Sequence, residues 1–277
     1  MKFSQVEHIS IQKISAGKIT ELNDQVAVEE PLEIQLAYST SAGRIQKNIS
    51  VTMRTPGNDE ELAAGFLFTE GVIKNKEAIH EIKHLSFDEN RALVTLHEDI
   101  QPILVNVSRN FYSTSSCGVC GKASIEAIRT VSYYQDKKDT IPINAAVLYH
   151  LQDNLKKQQV VFENTGGIHA SALFSFGGEF IMLREDVGRH NALDKIIGAA
   201  LIGGQLPLSN HILFLSGRAS FELVQKAAMA GIKIIAAVGA PSSLAVELAR
   251  EAHITLIGFL RDGRFNLYSG YQRLKLL

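Results

Sequence analysis

The chain contains two cysteines, and both fall in one short string, Ser115-Ser116-Cys117-Gly118-Val119-Cys120-Gly121. The residues before them, Arg109-Asn110-Phe111-Tyr112-Ser113-Thr114, are polar and rich in hydroxyls. Those after them, Lys122-Ala123-Ser124-Ile125-Glu126-Ala127-Ile128, read as a helix. A loop that delivers two thiols to a helix N-terminus favours thiolate, because free amides and the helix dipole stabilise negative charge there. A free thiol ionises at roughly 8.5, and such a setting lowers that by about a unit or more. Residue types and spacing together point to sulfur chemistry at Cys117 and Cys120.

Several chemistries use such a pair. A thioredoxin-like site places Cys-x-x-Cys after the first strand of a compact βαβ unit; here the pair lies mid-chain, after a meander, without flanking aromatic residues of that type. Structural zinc commonly takes two such pairs. With one pair, zinc would need histidines or carboxylates from elsewhere, for example His169 and His190. Zinc-dependent deaminases combine one Cys-x-x-Cys with an upstream His-x-Glu, and no His-x-Glu occurs in this sequence, so zinc-deaminase catalysis is not expected, and no residue is assigned as a metal ligand. Two inert, buried cysteines fit poorly with a polar, glycine-flanked loop. What remains is a thiol that carries something. A persulfide carrier needs a nucleophilic, accessible sulfur able to accept at one protein and release at another, and the loop over 109–122 suits that requirement.

Other polar strings stand among apolar neighbours. Thr165-Gly166-Gly167-Ile168-His169-Ala170-Ser171 precedes a strand, and Glu185-Asp186-Val187-Gly188-Arg189-His190-Asn191 follows one and opens a helix. Each combines glycine, which allows close backbone approach, with a histidine able to exchange protons. A lone histidine is commonly a satisfied structural residue; two flanking one hairpin are candidates for function. Later in the chain, three apolar strands are followed by Ser216-Gly217-Arg218, by Gly239-Ala240-Pro241-Ser242 and by Arg261-Asp262-Gly263-Arg264. Ligands of open parallel sheets sit at the carboxyl ends of strands. Small residues there let amides approach a phosphate at a helix N-terminus, and Arg218 and Arg264 can pair with its oxygens. Ordinary β–α turns with solvated arginines are the alternative. There is no Walker-type phosphate loop.

The elements that must position these residues follow from patterning. Residues 1–25 are polar and weakly patterned, an expected partly ordered lead-in. Leu32, Ile34 and Leu36, then Ile45, Ile49 and Val51 beyond Ser41-Ala42-Gly43, alternate as a hairpin or meander. Asn58 is expected to cap a helix with Leu62, Phe66 and Leu67 on its buried side, ending at Gly71. Strands are expected over 92–96 and 103–107. The charged stretch 134–140 marks an expected boundary between an N-terminal lobe (26–133) and a C-terminal α/β lobe (141–277). In that second lobe the pattern predicts a helix over 147–155, a hairpin about Gly177-Gly178, and a helix capped by Asn191 and ended by Gly203-Gly204. Strand 211–215, helix 220–230, strand 233–238, helix 242–251 and strand 254–260 then alternate, and the continuous apolar runs are those of buried parallel strands. Two βαβ crossovers imply a layered α/β domain.

Composition bounds the rest. The 277 residues are 45% hydrophobic and 21% charged, with formal net charge −1, which is the balance of a folded domain and argues against an extended nucleic-acid surface. No run of about eighteen apolar residues predicts a membrane helix. The first residues lack the apolar core of a signal peptide, so a cytoplasmic location is expected.

Taken together, the motifs resemble those of the FdhD-type formate dehydrogenase accessory sulfurtransferases. The resemblance runs from about Val28 to Tyr268. It rests on Glu60-Glu61-Leu62-Ala63-Ala64-Gly65-Phe66 with Thr69-Glu70-Gly71, on Cys117-Gly118-Val119-Cys120-Gly121, and on Gly166-Gly167-Ile168-His169-Ala170. It continues through Glu185-Asp186-Val187-Gly188-Arg189-His190-Asn191-Ala192-Leu193-Asp194-Lys195, Ser216-Gly217-Arg218-Ala219-Ser220, and Gly258-Phe259 with Gly263-Arg264. The family commonly has Thr-Gly before the first cysteine, where this chain has Ser115-Ser116.

The resemblance implies a layered mixed sheet of the cytidine-deaminase type without its zinc site, with an N-terminal β-rich α+β lobe. It implies sulfur received from a cysteine desulfurase and passed to the molybdenum cofactor, bis-molybdopterin guanine dinucleotide, before that cofactor enters formate dehydrogenase. Cys117 maps to the persulfide carrier, with Cys120 assisting or dispensable. The cofactor-binding stretch maps to Phe259, Leu260, Arg261, Asp262, Gly263 and Arg264, next to Ser216, Arg218, His169, Arg189 and His190. A guanine nucleotide should therefore serve as an analogue, and members of the family pair as homodimers. A cofactor-binding chaperone that moves no sulfur is the alternative, and the accessible thiol pair argues against it.

Overall fold

Strand His211–Leu215 shows how the core is built, because its alternate side chains serve two different cores. Ile212 and Phe214 face one side, while Leu213 and Leu215 face the other, as the period of two in a strand requires. The computed structural model describes residues 4–84, 90–104, 134 and 142–276. In chain order the elements are β1 (Val6–Ser15), β2 (Lys18–Ala27), β3 (Glu30–Thr40), β4 (Gly43–Arg54), α1 (Asp59–Thr69), β5 (Ile79–His84) and β6 (Arg91–Leu96). They continue with β7 (Ile143–Asn144), α2 (Ala145–Lys156), α3 (Val160–Thr165), β8 (His169–Ser175), β9 (Phe180–Asp186), α4 (Arg189–Ile202) and β10 (His211–Leu215). The last are α5 (Phe221–Met229), β11 (Ile234–Ala237), α6 (Ser243–Glu251), β12 (Thr255–Arg261), β13 (Arg264–Ser269) and β14 (Leu274–Lys275).

The fold is mixed α/β. A six-stranded sheet runs in the order β13-β12-β11-β10-β8-β9, and a four-stranded sheet in the order β4-β3-β6-β5. Strands β10, β11 and β12 are parallel, as the two crossovers predicted, and β8, β9 and β13 complete the sheet antiparallel to their neighbours. One face packs on α2 through Leu148, Leu151 and Leu155. The other joins Leu213 and Ile235 to Leu62 and Leu67 of α1, Leu193 and Ile197 of α4, and Leu32, Ile34 and Leu36 of the smaller sheet. This larger core is continuous across the two expected lobes.

Several expectations differ from what is observed. Where a partly ordered lead-in was expected over 1–25, the described residues from 4 onward form β1 and β2, paired antiparallel from Val6↔Ala27 to Ser15↔Lys18. Most of their side chains are exposed, so backbone pairing rather than burial shapes them, and the apolar pattern is weak for that reason. Within 101–104 no strand forms; residues 105–107 of the expected strand lie outside the described residues. Of the expected boundary 134–140 only Tyr134 is described, and it packs against the larger core. Asn58 precedes α1 in a left-handed conformation without a side-chain cap. Asn191 does not cap α4; Gly188 holds that position and Asn191 lies inside the first turn.

Helices α1 and α4 cross where Gly65 meets Gly198. A Cβ on Gly65 would lie 1.9 Å from the Asp194 carbonyl oxygen, and one on Gly198 would lie 1.8 Å from that of Glu61. The backbones touch directly, which explains glycine inside two helices despite its cost of about 1 kcal/mol relative to alanine. The crossing sets α4 on the sheet, and α4 carries Arg189 and His190 at its start.

Candidate functional site along one sheet edge

The register places the predicted residues, cysteines apart, along a single edge of the six-stranded sheet. Strand β8 begins at His169, opposite Asp186 at the end of β9. Because β8 is antiparallel to β10, with Ser171 opposite Leu215, His169 stands at the carboxyl end of β10, beside 216–218. The ends of β11 and β12 follow, and Arg264 opens β13 opposite Arg261. Three interstrand steps separate β8 from β12, which at about 4.8 Å each is roughly 14 Å. The histidines and the stretch 259–264 thus occupy the two ends of one row.

At the first end, one backbone–hydroxyl and one backbone–backbone hydrogen bond lock β8 to the end of β10. Ala170 N–H donates to Ser216 Oγ at 2.8 Å, and Ser216 N–H donates to the Ala170 carbonyl at 3.0 Å. The His169 ring lies against Gly217, where a Cβ would sit 3.4 Å from it. Burial pushes the His169 imidazole below its ordinary value of 6.5, and the neighbouring Arg189 and His190 push it further the same way. His190, in the first turn of α4, meets the first turn of α5: its Nε2 is 2.8 Å from Glu222 Oε2 and 3.4 Å from Ser220 Oγ. Arg189 Nε and Glu222 Oε1 are buried with no hydrogen-bond partner among the described residues. This end offers a histidine kept neutral, a histidine held by a carboxylate, and a guanidinium with a donor to spare. Such groups can move protons and hold an anion.

At the other end, the loops bind one another more than the sequence suggested. Gly239 N–H donates to the Gly217 carbonyl at 2.9 Å, Phe259 N–H to that of Gly239 at 3.1 Å, and Ser242 N–H to that of Ala219 at 3.1 Å. Gly239 and Ser242 lie in the turn whose amides were expected to face phosphate, and their amides are already used. Gly239 is needed for fit, since a Cβ there would come within 2.9 Å of the Arg218 backbone. Arg261 donates from Nη1 to the carbonyls of Val238 at 2.8 Å and Leu260 at 2.9 Å, so it ties strand ends together. Asp262 and Gly263 form a hairpin turn into β13, with Gly263 at φ 69°. Arg218 and Arg264 are exposed, Leu260 is buried, and Phe259 is 44% exposed. Phe259 also takes a left-handed φ of 53°, which a bulky residue rarely adopts.

The string from Glu185 to Lys195 divides between structure and site. Lys195 Nζ lies 2.7 Å from buried Asp186 Oδ2 and donates to the Thr55 carbonyl at 2.8 Å. Asp186 accepts from Gly188 N–H at 2.8 Å, from Asn191 Nδ2 at 3.1 Å and from Thr55 N–H at 3.2 Å. Asn191 also donates to the Met53 carbonyl at 2.7 Å. These residues bind the end of β4 to the β9–α4 turn, and only Arg189 and His190 contribute to the sheet edge. Asp194 belongs to a second buried network with Lys226, at 2.9 Å, and Thr69, at 2.8 Å. Burial opposes the charge on Lys226, but Asp194 and then Glu70 outweigh it and hold the ammonium above its ordinary value. Gly166, read as a site glycine, ends α3 in the left-handed conformation.

Sequence reasoning missed Glu222, whose position in the first turn of a helix reads as an ordinary acidic residue favoured by the dipole. The signal available was its place two residues after Ser220, in the segment that follows the parallel strand. Cys117, Cys120 and the whole loop 109–122 lie outside the described residues.

A family model described as the FdhD/NarQ family matches residues 27–275. A protein of Mycolicibacterium paratuberculosis named "Sulfur carrier protein FdhD" is 46% identical, over 95% of this chain and 97% of its own. A Sulfolobus acidocaldarius protein of the same name is 41% identical, over 98% of this chain and 100% of its own. The crystal structure of a formate dehydrogenase accessory protein from Desulfotalea psychrophila superposes with a TM-score of 0.74 at 25% identity, covering 98% of this chain and 100% of that one. The chain belongs to the FdhD/NarQ family.

Proposed function

We propose that the protein is a sulfur carrier required for formate dehydrogenase activity. Cys117 accepts sulfur from the persulfide of a cysteine desulfurase: the Cys117 thiolate attacks the outer sulfur, a Cys117 persulfide forms and the desulfurase thiolate leaves. The sulfur is then handed to the molybdenum cofactor, bis-molybdopterin guanine dinucleotide, which rests along the sheet edge as substrate before delivery to formate dehydrogenase. The observation that carries this reading is the end-to-end match to relatives named as sulfur carriers. The sheet edge supports it: histidines and Arg189 stand at one end of the row and exposed Arg218, Phe259 and Arg264 along the rest, a length suited to a nucleotide-bearing ligand. The antiparallel β8 and β9 beside three parallel strands support the deaminase-like reading of the larger sheet. On this reading the protein acts in the cytoplasm as a homodimer. Among the described residues no helix is long and apolar enough to cross a membrane.

The test is incubation with a cysteine desulfurase and cysteine, followed by intact-mass measurement. One added sulfur per chain is expected in wild type and Cys120→Ala, and none in Cys117→Ala. Retention in Cys117→Ala with loss in Cys120→Ala reverses the assignment. Restored formate dehydrogenase activity by the double alanine variant would show a cofactor-binding chaperone instead.

A further inference from the structure

The contact between His190 and Glu222 joins the first turns of two helices at the sheet edge, and it is made in an unusual way. Glu222 is mostly buried, with 16% of its side chain exposed, and its Oε2 lies 2.8 Å from His190 Nε2. Its Oε1 is buried and has no hydrogen-bond partner among the described residues. A carboxylate retained only to tie helices together would be expected to satisfy both oxygens, as Asp186 and Asp194 do in the networks behind it. Here one oxygen is committed to a single imidazole, beside the His169 ring and Arg189. A carboxylate that accepts from one ring nitrogen of histidine fixes the tautomer and stabilises the imidazolium that forms when the other nitrogen takes a proton.

We propose that Glu222 is a positioning residue that keeps His190 as the Nε2–H tautomer, leaving Nδ1 to take a proton from the sulfur species delivered to this edge. In that step one S–H bond is exchanged for one N–H bond and the electron pair stays on sulfur. The resulting imidazolium faces the Glu222 carboxylate. The proton-transfer role rests on the sulfur-carrier reading above; the tautomer does not.

The two parts are therefore tested separately. Long-range proton–nitrogen correlation spectra of the full-length protein with labelled histidine, recorded at about pH 8 where an ordinary histidine is neutral, report the tautomer. His190→Gln identifies the signal. Wild type should show Nε2–H. Glu222→Gln, whose amide oxygen still accepts that proton, should keep it, and Glu222→Ala should show a mixture. An Nδ1–H ring in wild type, or the same tautomer in wild type and folded Glu222→Ala, overturns the assignment. The wild-type spectrum decides the first point even if Glu222→Ala does not fold. In the sulfur assays, Glu222→Ala should load Cys117 as wild type does but lose tenfold or more of the formate dehydrogenase activation, with Glu222→Gln partly restoring it. Unchanged activation in Glu222→Ala ends the proton-transfer role. Failure of wild type to load sulfur at all refutes the sulfur-carrier reading and, with it, that role, while the tautomer result stands.

Discussion

Gly198→Ala should destabilise the protein although alanine is the better helix former. The added Cβ would lie 1.8 Å from the Glu61 carbonyl oxygen, 2.7 Å from its carbon and 2.8 Å from the Gly65 nitrogen. Ordinary contact begins near 3.4 Å, so α1 and α4 must separate by roughly 1.5 Å at the point of closest approach. The obstacle is helix backbone, which cannot rotate away as a side chain would. Overpacking a core commonly costs about 1–3 kcal/mol, and a rigid obstacle puts this case near or above the upper end. The gain in helix propensity returns about 1 kcal/mol. The net loss is about 2 kcal/mol or more, equivalent to a fall in Tm of about 4–8 °C for a domain of this size. Gly65→Ala meets the Asp194 carbonyl at 1.9 Å and should behave alike. Because one separation of the helices accommodates both methyl groups, the double variant should lose less than the sum. Urea denaturation of the four proteins provides the measurement. A Gly198→Ala variant within about 0.5 kcal/mol of wild type would refute the reasoning, since that is the scatter of neutral surface changes.

Three further outcomes are expected. Lys195→Met leaves Asp186 buried without its cation and should cost about 3–5 kcal/mol in urea denaturation, with Asp186→Asn in the same background recovering part of the loss. His169 and His211 are both held below the ordinary 6.5, chiefly by burial; the unfolded chain then binds more protons at these two sites as pH falls below about 6.5, so their contribution to stability should drop from there down to the lowered native values and stay flat above. His169→Gln should flatten part of that drop in Tm measured between about pH 7.5 and 5, and an unchanged profile would show that His169 titrates normally. Guanosine diphosphate should bind wild type by calorimetry, and Arg218→Ala or Arg264→Ala should each weaken it by about 1.5–3 kcal/mol, roughly ten- to a hundred-fold; equal affinities would remove these arginines from the site.

The parallel half of the larger sheet was legible because its strands are continuous apolar runs separated by helices of ordinary length, and each boundary matches within a residue or two. What was missed lacks that signal. The β1–β2 hairpin buries little, so no alternation marks it. Strand β13 was hidden by reading Asp262-Gly263 as part of a phosphate loop, although Asp-Gly between apolar runs is also a hairpin turn. The site was legible as to which segments meet, since strand ends and the strings around His169 and His190 do share one edge. It was not legible as to which groups remain free. Hydrogen bonds among the loops after β10, β11 and β12 depend on spacing between strands far apart in sequence, and they take up amides that local reading assigned to a ligand.

The string from Asp186 to Lys195 shows why residue types alone could not separate site from support. Asp186, Asn191, Asp194 and Lys195 are as polar as Arg189 and His190 and alternate with them over less than three helical turns. The difference is the face of α4. Residues turned toward β4 and α1 find Thr55, Met53 and Thr69 and are buried; those at the open end of the helix reach the carboxyl ends of the strands. Buried polar networks of the first kind stabilise only when complete, because each unsatisfied group costs about 1–3 kcal/mol. They make the position of α4 all-or-none, and that fixes where His190 stands relative to Glu222. If the edge serves the sulfur hand-over proposed above, a substitution in the first set should therefore change stability and hand-over together. One at His190 or Glu222 should change hand-over with little loss of stability, and this separation is what distinguishes the edge from the scaffold behind it.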